Sequence, residues 1–250
     1  QVHIYSSNQL HEGIEYRKRA GGSRSKDCTV AFLIEPPVIS PGSYEVMRDS
    51  QQAQHFDTVF TWSVDLIRSN SSKFFPYIGA DCWVCPKRED IVNISTTQLF
   101  RDMLHKKRLS GPFPTPGARA GKSVSHIFSH KNGHAPGYLM RHRVHAELLN
   151  ESHVYFCGSG AKRHVQNKSV CLLPFLFSIV IENDKDQGYY FSEKLVDAFA
   201  SGVVPIYWGT PRYVGHWFNT DGMMFFETIG QLREIVRSLR DPQTQWREYH

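Results

Sequence analysis

The sequence predicts an α/β protein made of two facing, doubly wound parallel-sheet domains. Three observations lead there. Short apolar runs alternate with helical stripes in both halves of the chain. Residues 106–121 (KKRLSGPFPTPGARAG) carry prolines, glycines and basic residues without an apolar period, as a linker does. Residues 177–209 read as a complete β-loop-α-β unit. The domains are therefore expected at 1–118 and 119–250.

In the first half, residues 2–5 and 29–34 are apolar enough for buried strands, the second ending at Glu35-Pro36-Pro37. Residues 56–61 alternate as a strand, 64–69 form a short helix, and 73–77 form another strand with Pro76 at its end. In the second half, 123–128 and 154–157 read as strands. Between them, 138–149 carries a rough helical stripe led in by Pro136-Gly137. The apolar run 175–181 is a strand that ends in Glu182-Asn183. Ser192 then stands at the N-cap of a helix with Leu195, Val196 and Phe199 on one face. Gly202 closes that helix, 203–208 is the next strand, and a last helix begins near Thr228.

The 177–209 unit carries most of the chemistry. In open α/β sheets ligands bind at the carboxyl ends of the strands. A helix amino terminus favours anions there through its free N–H groups and dipole. Lys194, in the first helical turn, adds a full positive charge. This combination points to a phosphorylated ligand.

The composition excludes several classes. Over 250 residues, 40% hydrophobic and 21% charged content describes an ordinary globular protein. No run of about 18 apolar residues is present to span a membrane. The net charge of +5 is spread along the chain. Its densest cluster, Arg17-Lys18-Arg19 with Arg24 and Lys26, reads as a solvated face or loop rather than a nucleic-acid patch, so no nucleic-acid partner is expected.

Five cysteines form no regular framework, and Cys82-Trp-Val-Cys85 lacks a second ligand pair for zinc. Buried free thiols are the expectation. The sequons at Asn70, Asn93, Asn150 and Asn167 point the other way, to a secretory route. The chain begins without Met or a signal-peptide pattern. It is expected in the cytoplasm if complete, or in the Golgi lumen if it is a trimmed fragment, with membrane attachment only through an anchor outside it.

The residues Ile181-Glu182-Asn183, Tyr190-Phe191-Ser192-Glu193-Lys194 and Gly202-Val203-Val204-Pro205-Ile206-Tyr207-Trp208-Gly209 resemble the signature of the α-1,3-fucosyltransferases, glycosyltransferase family 10. Phe218-Asn219 is similar to the segment that follows it. Ile34-Glu35-Pro36-Pro37-Val38-Ile39-Ser40-Pro41-Gly42 resembles that family's E-S-P-x-x-S-P-G segment, and 56–62 and 74–79 resemble the elements downstream. The matches run in order over about two thirds of the chain and suggest a bacterial- or viral-type member. Ser192 in place of Thr, Tyr189 in place of Asp or Gly, Pro36 in place of Ser, and the loop 184–188 depart from the pattern.

The resemblance implies a GT-B arrangement of two Rossmann-like domains and an inverting transfer, with GDP-fucose as donor and a glycan as acceptor. Glu35 is then the general base, where the residue alone would read as a surface carboxylate at a strand end. Lys194 and Arg141 hold the leaving diphosphate, with Arg143 as the competitor for the second place. Glu193 binds the ribose, Tyr190 the nucleotide, and Asn183 and Glu182 the donor sugar; Ser129 adds a phosphate contact. Core packing is the plain alternative for Tyr190, and loop capping for Asn183 and Glu182.

No cofactor or metal is expected. The histidines 130, 134, 142 and 145 lack a companion carboxylate at ligand spacing, and a lysine–arginine pair can take the place of Mg²⁺ in neutralising a diphosphate. A donor such as UDP-xylose, or a non-catalytic nucleotide- or carbohydrate-binding module, are the alternatives.

Overall fold

The computed structural model describes residues 1–21, 26–77, 79–80, 82–84, 123–185 and 188–249. The expected linker at 106–121 and the boundary at 118 lie outside the described residues, as do Arg24, Cys85 and the Asn93 sequon. The chain divides into two compact units, one of Gln1–Gly79 with Asn183–Tyr190, the other of Ala80–Glu182 with Phe191–His250.

The first unit is built from β1 (Val2–Ser6), α1 (Leu10–Arg19), β2 (Cys28–Phe32), α2 (Pro41–Arg48), α3 (Ser50–Ala53), β3 (Thr58–Thr61), α4 (Val64–Ser69) and β4 (Phe74–Pro76). Among the described residues its four strands are parallel and lie in the order β1-β2-β3-β4. Leu10 and Ile14 of α1 join Leu33, Tyr44, Phe56 and Val59 in the core. Gly13 lets α1 approach closely, because a Cβ there would stand 2.7 Å from the Phe56 ring.

Arg17 departs from the solvated reading of its cluster. It lies on α1, buried, with Nη2 2.9 Å from Asp57 and Nη1 on the Asp27 carbonyl. Asp57 in turn accepts the Thr29 N–H at 2.7 Å. A buried arginine is tolerated because its charge is paired and its donors are used.

The second unit holds β5 (Val124–Ile127), α5 (Pro136–Leu148), β6 (Val154–Cys157), α6 (Ser169–Leu172), β7 (Phe177–Val180), α7 (Glu193–Ala200), β8 (Val204–Trp208), α8 (Pro211–Val214), β9 (Met224–Phe226), α9 (Ile229–Ser238) and α10 (Pro242–Tyr249). Among the described residues its five strands are all parallel, in the order β6-β5-β7-β8-β9. The chain therefore moves from β5 to one side, then returns to build on the other. This reversal puts a topological switch point between β5 and β7, where such sheets bind ligands at the carboxyl ends of the strands. All four residues of β7 are buried, as expected of a strand covered on both faces.

Local signals set the helix ends. Thr228 and Gln231 form a capping box on α9, each accepting the other's backbone N–H, at 3.3 and 3.0 Å. Gly202 follows α7 at φ 61°, a left-handed position that favours glycine.

The expectation of free thiols is corrected. Cys157 at the end of β6 and Cys171 in α6 are disulfide-bonded, with Cα atoms 6.2 Å apart. Cys82 is also disulfide-bonded, and Cys28 is free. Cys157 and Cys171 are 14 positions apart in the chain, so only the fold of the β6–α6 segment brings them together. Among the described residues, no helix is long and apolar enough to cross a membrane.

Candidate nucleotide-sugar site

The carboxyl end of β7 runs through Ile181 into Glu182, a fully buried carboxylate. Its Oε1 accepts the Ser192 N–H at 2.9 Å, and its Oε2 accepts the Ser192 hydroxyl. Lys194 Nζ lies 3.5 Å from the same Oε2. Paired and hydrogen-bonded in this way, the charge is tolerated out of water. On the neighbouring strand β8, burial and then the Glu182 charge raise the Tyr207 phenol well above its ordinary range.

Ser192 is the N-cap of α7. Its hydroxyl accepts the Lys194 N–H at 3.4 Å and the Lys194 ammonium at 2.9 Å. The expected hydroxyl cap is thus present, and it also grips the strand end. The geometry places a lysine side chain and a helix amino terminus together at the end of a central parallel strand.

Glu193 follows on α7. Burial pushes its carboxyl up, but the ammoniums of Lys194 and Lys168 and hydrogen bonds outweigh this and bring it to about 2. Lys168 Nζ is 3.2 Å from Glu193 Oε1 and 3.0 Å from Asp197 Oδ2, and Lys194 Nζ is 3.4 Å from Glu193 Oε1. Asp197 Oδ1 accepts the backbone N–H groups of Trp83 and Val84 at 2.7 and 3.2 Å. Lys168 and Asp197 went unnoticed in the sequence. Only the i,i+4 spacing of Glu193 and Asp197 on a helix could have signalled that a cation must stand beside them.

Arg141 lies on α5, buried, with its guanidinium turned onto the carboxyl end of β7. Nε and Nη2 donate to the Ile181 carbonyl at 2.9 and 2.7 Å. Its rival Arg143 is exposed. Ser129 stands two residues beyond β5, half-buried, and accepts the Lys131 N–H at 3.4 Å. With β5 and β7 adjacent, Ser129, Arg141, Glu182 and Lys194 all lie at the switch-point end of this sheet. His126 on β5, deeply buried and stacked on Phe128, has its imidazole pushed down to about 4 by burial. Among the described residues, no group of three or more His, Cys, Asp or Glu is placed to hold a metal ion.

The other expected residues belong to the first unit. Glu35, half-buried, lies three residues beyond β2. Its backbone is pinned on both sides: Trp62 Nε1 donates to the Ile34 carbonyl at 2.7 Å, and the Tyr44 hydroxyl donates to the Glu35 carbonyl at 3.0 Å. The carboxylate Oε2 accepts a long 3.5 Å hydrogen bond from Asn183 Nδ2. Tyr190 is buried, with its ring 5.3 Å from that of Trp62 and edge-on to it. Gly188, at φ 62°, leaves no room for a Cβ, which would stand 2.4 Å from Val64 Cγ2. Glu35, Asn183 and Tyr190 thus share one unit, and Ser129, Arg141, Glu182, Glu193 and Lys194 the other.

Two parallel sheets of this kind, the second with a switch point, define an α/β protein of the GT-B class. Within that class the fold is that of the α1,3-fucosyltransferases. A solved α1,3-fucosyltransferase matches with a TM-score of 0.56 and 17% identity, covering 98% of this chain and 80% of that one. A second, solved with GDP, matches with a TM-score of 0.53 and 15% identity over the same shares. A third, solved with GDP-fucose, gives a TM-score of 0.51 and 17% identity over 91% of this chain and 67% of that one.

In sequence, the chain is 39% identical over 59 residues to the α-(1,3)-fucosyltransferase FucT of Helicobacter pylori. That stretch is 22% of this chain and spans 12% of that protein's length. No family model matches the chain.

Proposed function

We propose that the protein is an inverting glycosyltransferase that moves fucose from GDP-fucose to a hydroxyl of a glycan. The observation that carries this is the Glu182–Ser192–Lys194 arrangement. It places a lysine and a helix amino terminus at the end of a central parallel strand, in a fold shared with a fucosyltransferase solved with GDP-fucose.

In this reading Glu35 takes the acceptor hydroxyl proton as its oxygen attacks C1 of the sugar, and the C1–O bond to the diphosphate breaks. Lys194 and Arg141 neutralise the charge that develops on the leaving group, and Ser129 adds a phosphate contact. Two fixed cations suit a reaction that proceeds without a divalent metal. Glu193 accepts from the ribose hydroxyls, Tyr190 flanks the nucleotide and Asn183 contacts the donor sugar, while Glu182, buried with both oxygens on Ser192, holds the turn that presents Lys194.

Calorimetric titration with nucleotides, followed by transfer assays, tests the reading. GDP and GDP-fucose should bind. Glu35→Gln should keep GDP binding and lose transfer by about 10²- to 10⁴-fold, the span of a general base. Binding of UDP species instead of GDP would sink the fucosyl assignment. Nucleotide binding by a wild-type protein that neither transfers nor hydrolyses the donor would leave a binding module.

We also infer a secretory route. The Cys157–Cys171 disulfide suits an oxidising compartment. The three described sequon asparagines, Asn70, Asn150 and Asn167, are all exposed.

A further inference from the structure

We propose that Lys168 is a positioning residue for the nucleotide-sugar site: by bridging Glu193 and Asp197 it fixes the Glu193 carboxylate and keeps the Lys194 ammonium available to the diphosphate. The proposal rests on the reading of Glu193 and Lys194 given above.

Glu193 and Asp197 are four residues apart on α7, so their carboxylates face the same way and repel. Asp197 cannot turn aside. Its side chain is 1% exposed, and Oδ1 is committed to the N–H groups of Trp83 and Val84. Lys168 Nζ stands between the two carboxylates, 3.2 Å from one and 3.0 Å from the other, with the Trp83 ring 4.1 Å away. It arrives from a fixed point, the N-cap of α6, whose Cys171 is tied to the end of β6.

The balance of charge gives the consequence. Glu182, Glu193 and Asp197 are three carboxylates around two ammoniums, Lys168 and Lys194. Glu193 Oε1 is shared by both cations, and Lys194 sits 3.4 and 3.5 Å from its two carboxylates, a loose hold. Without Lys168, Asp197 loses its ammonium among the described residues, and Glu193 is left to Lys194, which already serves Glu182. Lys194 is drawn onto Glu193, and an incoming diphosphate meets one more uncompensated negative charge.

The experiment uses calorimetric titration of the whole chain with GDP and with guanosine. Lys168→Met should weaken GDP binding about tenfold and leave guanosine within about twofold. Lys168→Arg should stay close to wild type. In the double variant Lys168→Met with Asp197→Asn, which restores the charge count and keeps an acceptor for Trp83 and Val84, GDP affinity should recover.

A Lys168→Met protein that melts lower but binds GDP within twofold of wild type overturns the proposal, because the lysine then serves the fold alone. So does a double variant that stays as weak as the single one. Should Lys168→Met fail to fold, Lys168→Gln and the double variant supply the same comparison. A wild-type protein that binds no nucleoside diphosphate overturns the underlying reading of the site instead.

Discussion

Ser192 donates both its backbone N–H and its hydroxyl to the two oxygens of the buried Glu182 carboxylate. One residue thereby caps α7 and satisfies the charged end of β7. Ser192→Ala should lower the unfolding free energy by about 1–3 kcal/mol, since it removes the cap and leaves a buried carboxylate oxygen short of a donor. Ser192→Thr should hold within about 1 kcal/mol because the hydroxyl remains. Urea denaturation of both variants checks this, and equal loss in the two would contradict it.

Arg141 uses two arms of its planar fork on a single carbonyl, that of Ile181. Lysine cannot reproduce that geometry. Arg141→Lys should cost about 1–2 kcal/mol of stability and weaken GDP binding, while Arg143→Lys, on an exposed position, should change neither. Thermal melts with and without GDP decide it.

Acid should unfold the second unit through two groups whose signs agree. Glu193 has a folded pKa of about 2, below that of the unfolded carboxyl, so its contribution is complete above about pH 4.5 and is lost as pH falls toward 2. At full strength that is on the order of 3 kcal/mol.

His126, with Arg141 and His145 as the cations near it, has a folded pKa of about 4 against 6.5 unfolded. It must stay neutral, so stability drains as pH falls from about 6.5 toward 4. Denaturation midpoints measured from pH 7 to 3 should fall in the wild type. His126→Phe should flatten the upper part of that curve; an unaltered slope would rule His126 out as its source.

The Cys157–Cys171 disulfide closes a short loop, and in the loop-entropy account it contributes about 3 kcal/mol. Replacing both cysteines by Ala should lower the melting temperature accordingly. It should also weaken GDP binding, because the α6 segment carries Lys168. Full retention of both properties would show that α6 is held without the bridge.

The exposed sequons give a mass readout. Expressed through a secretory host, the protein should lose mass on enzymatic removal of N-glycans, and Asn70→Gln, Asn150→Gln and Asn167→Gln should each remove one step. A chain secreted with none of these positions occupied would count against the secretory reading.

Much of this was legible where local pattern and tertiary demand coincide. The buried β7 run, the Ser192 cap and the α9 stripe are written in contiguous residues, and the structure places each within a residue or two of expectation. Helix α1 was not legible. LHEGIEYRKR holds few large apolar residues, and its buried face is completed by Gly13 and Arg17, types that ordinarily mark a turn and a surface.

Arg17 is buried because Asp57, forty residues on, meets it, and no window of sequence carries that information. The same holds for Lys168, whose partners lie 25 and 29 residues ahead. The disulfide, too, depends on how the β6–α6 segment folds back.

The segment Asn183–Tyr190 groups with Gln1–Gly79 although more than a hundred residues of the other unit intervene. A single cut in this polypeptide therefore cannot release an intact half. A fragment ending at Gly79 lacks the tyrosine that sits against Trp62 and the asparagine that reaches Glu35. Dissection of the protein would require carrying those eight residues across on a graft or a circular permutation, and evolution faces the same restriction in recombining its halves.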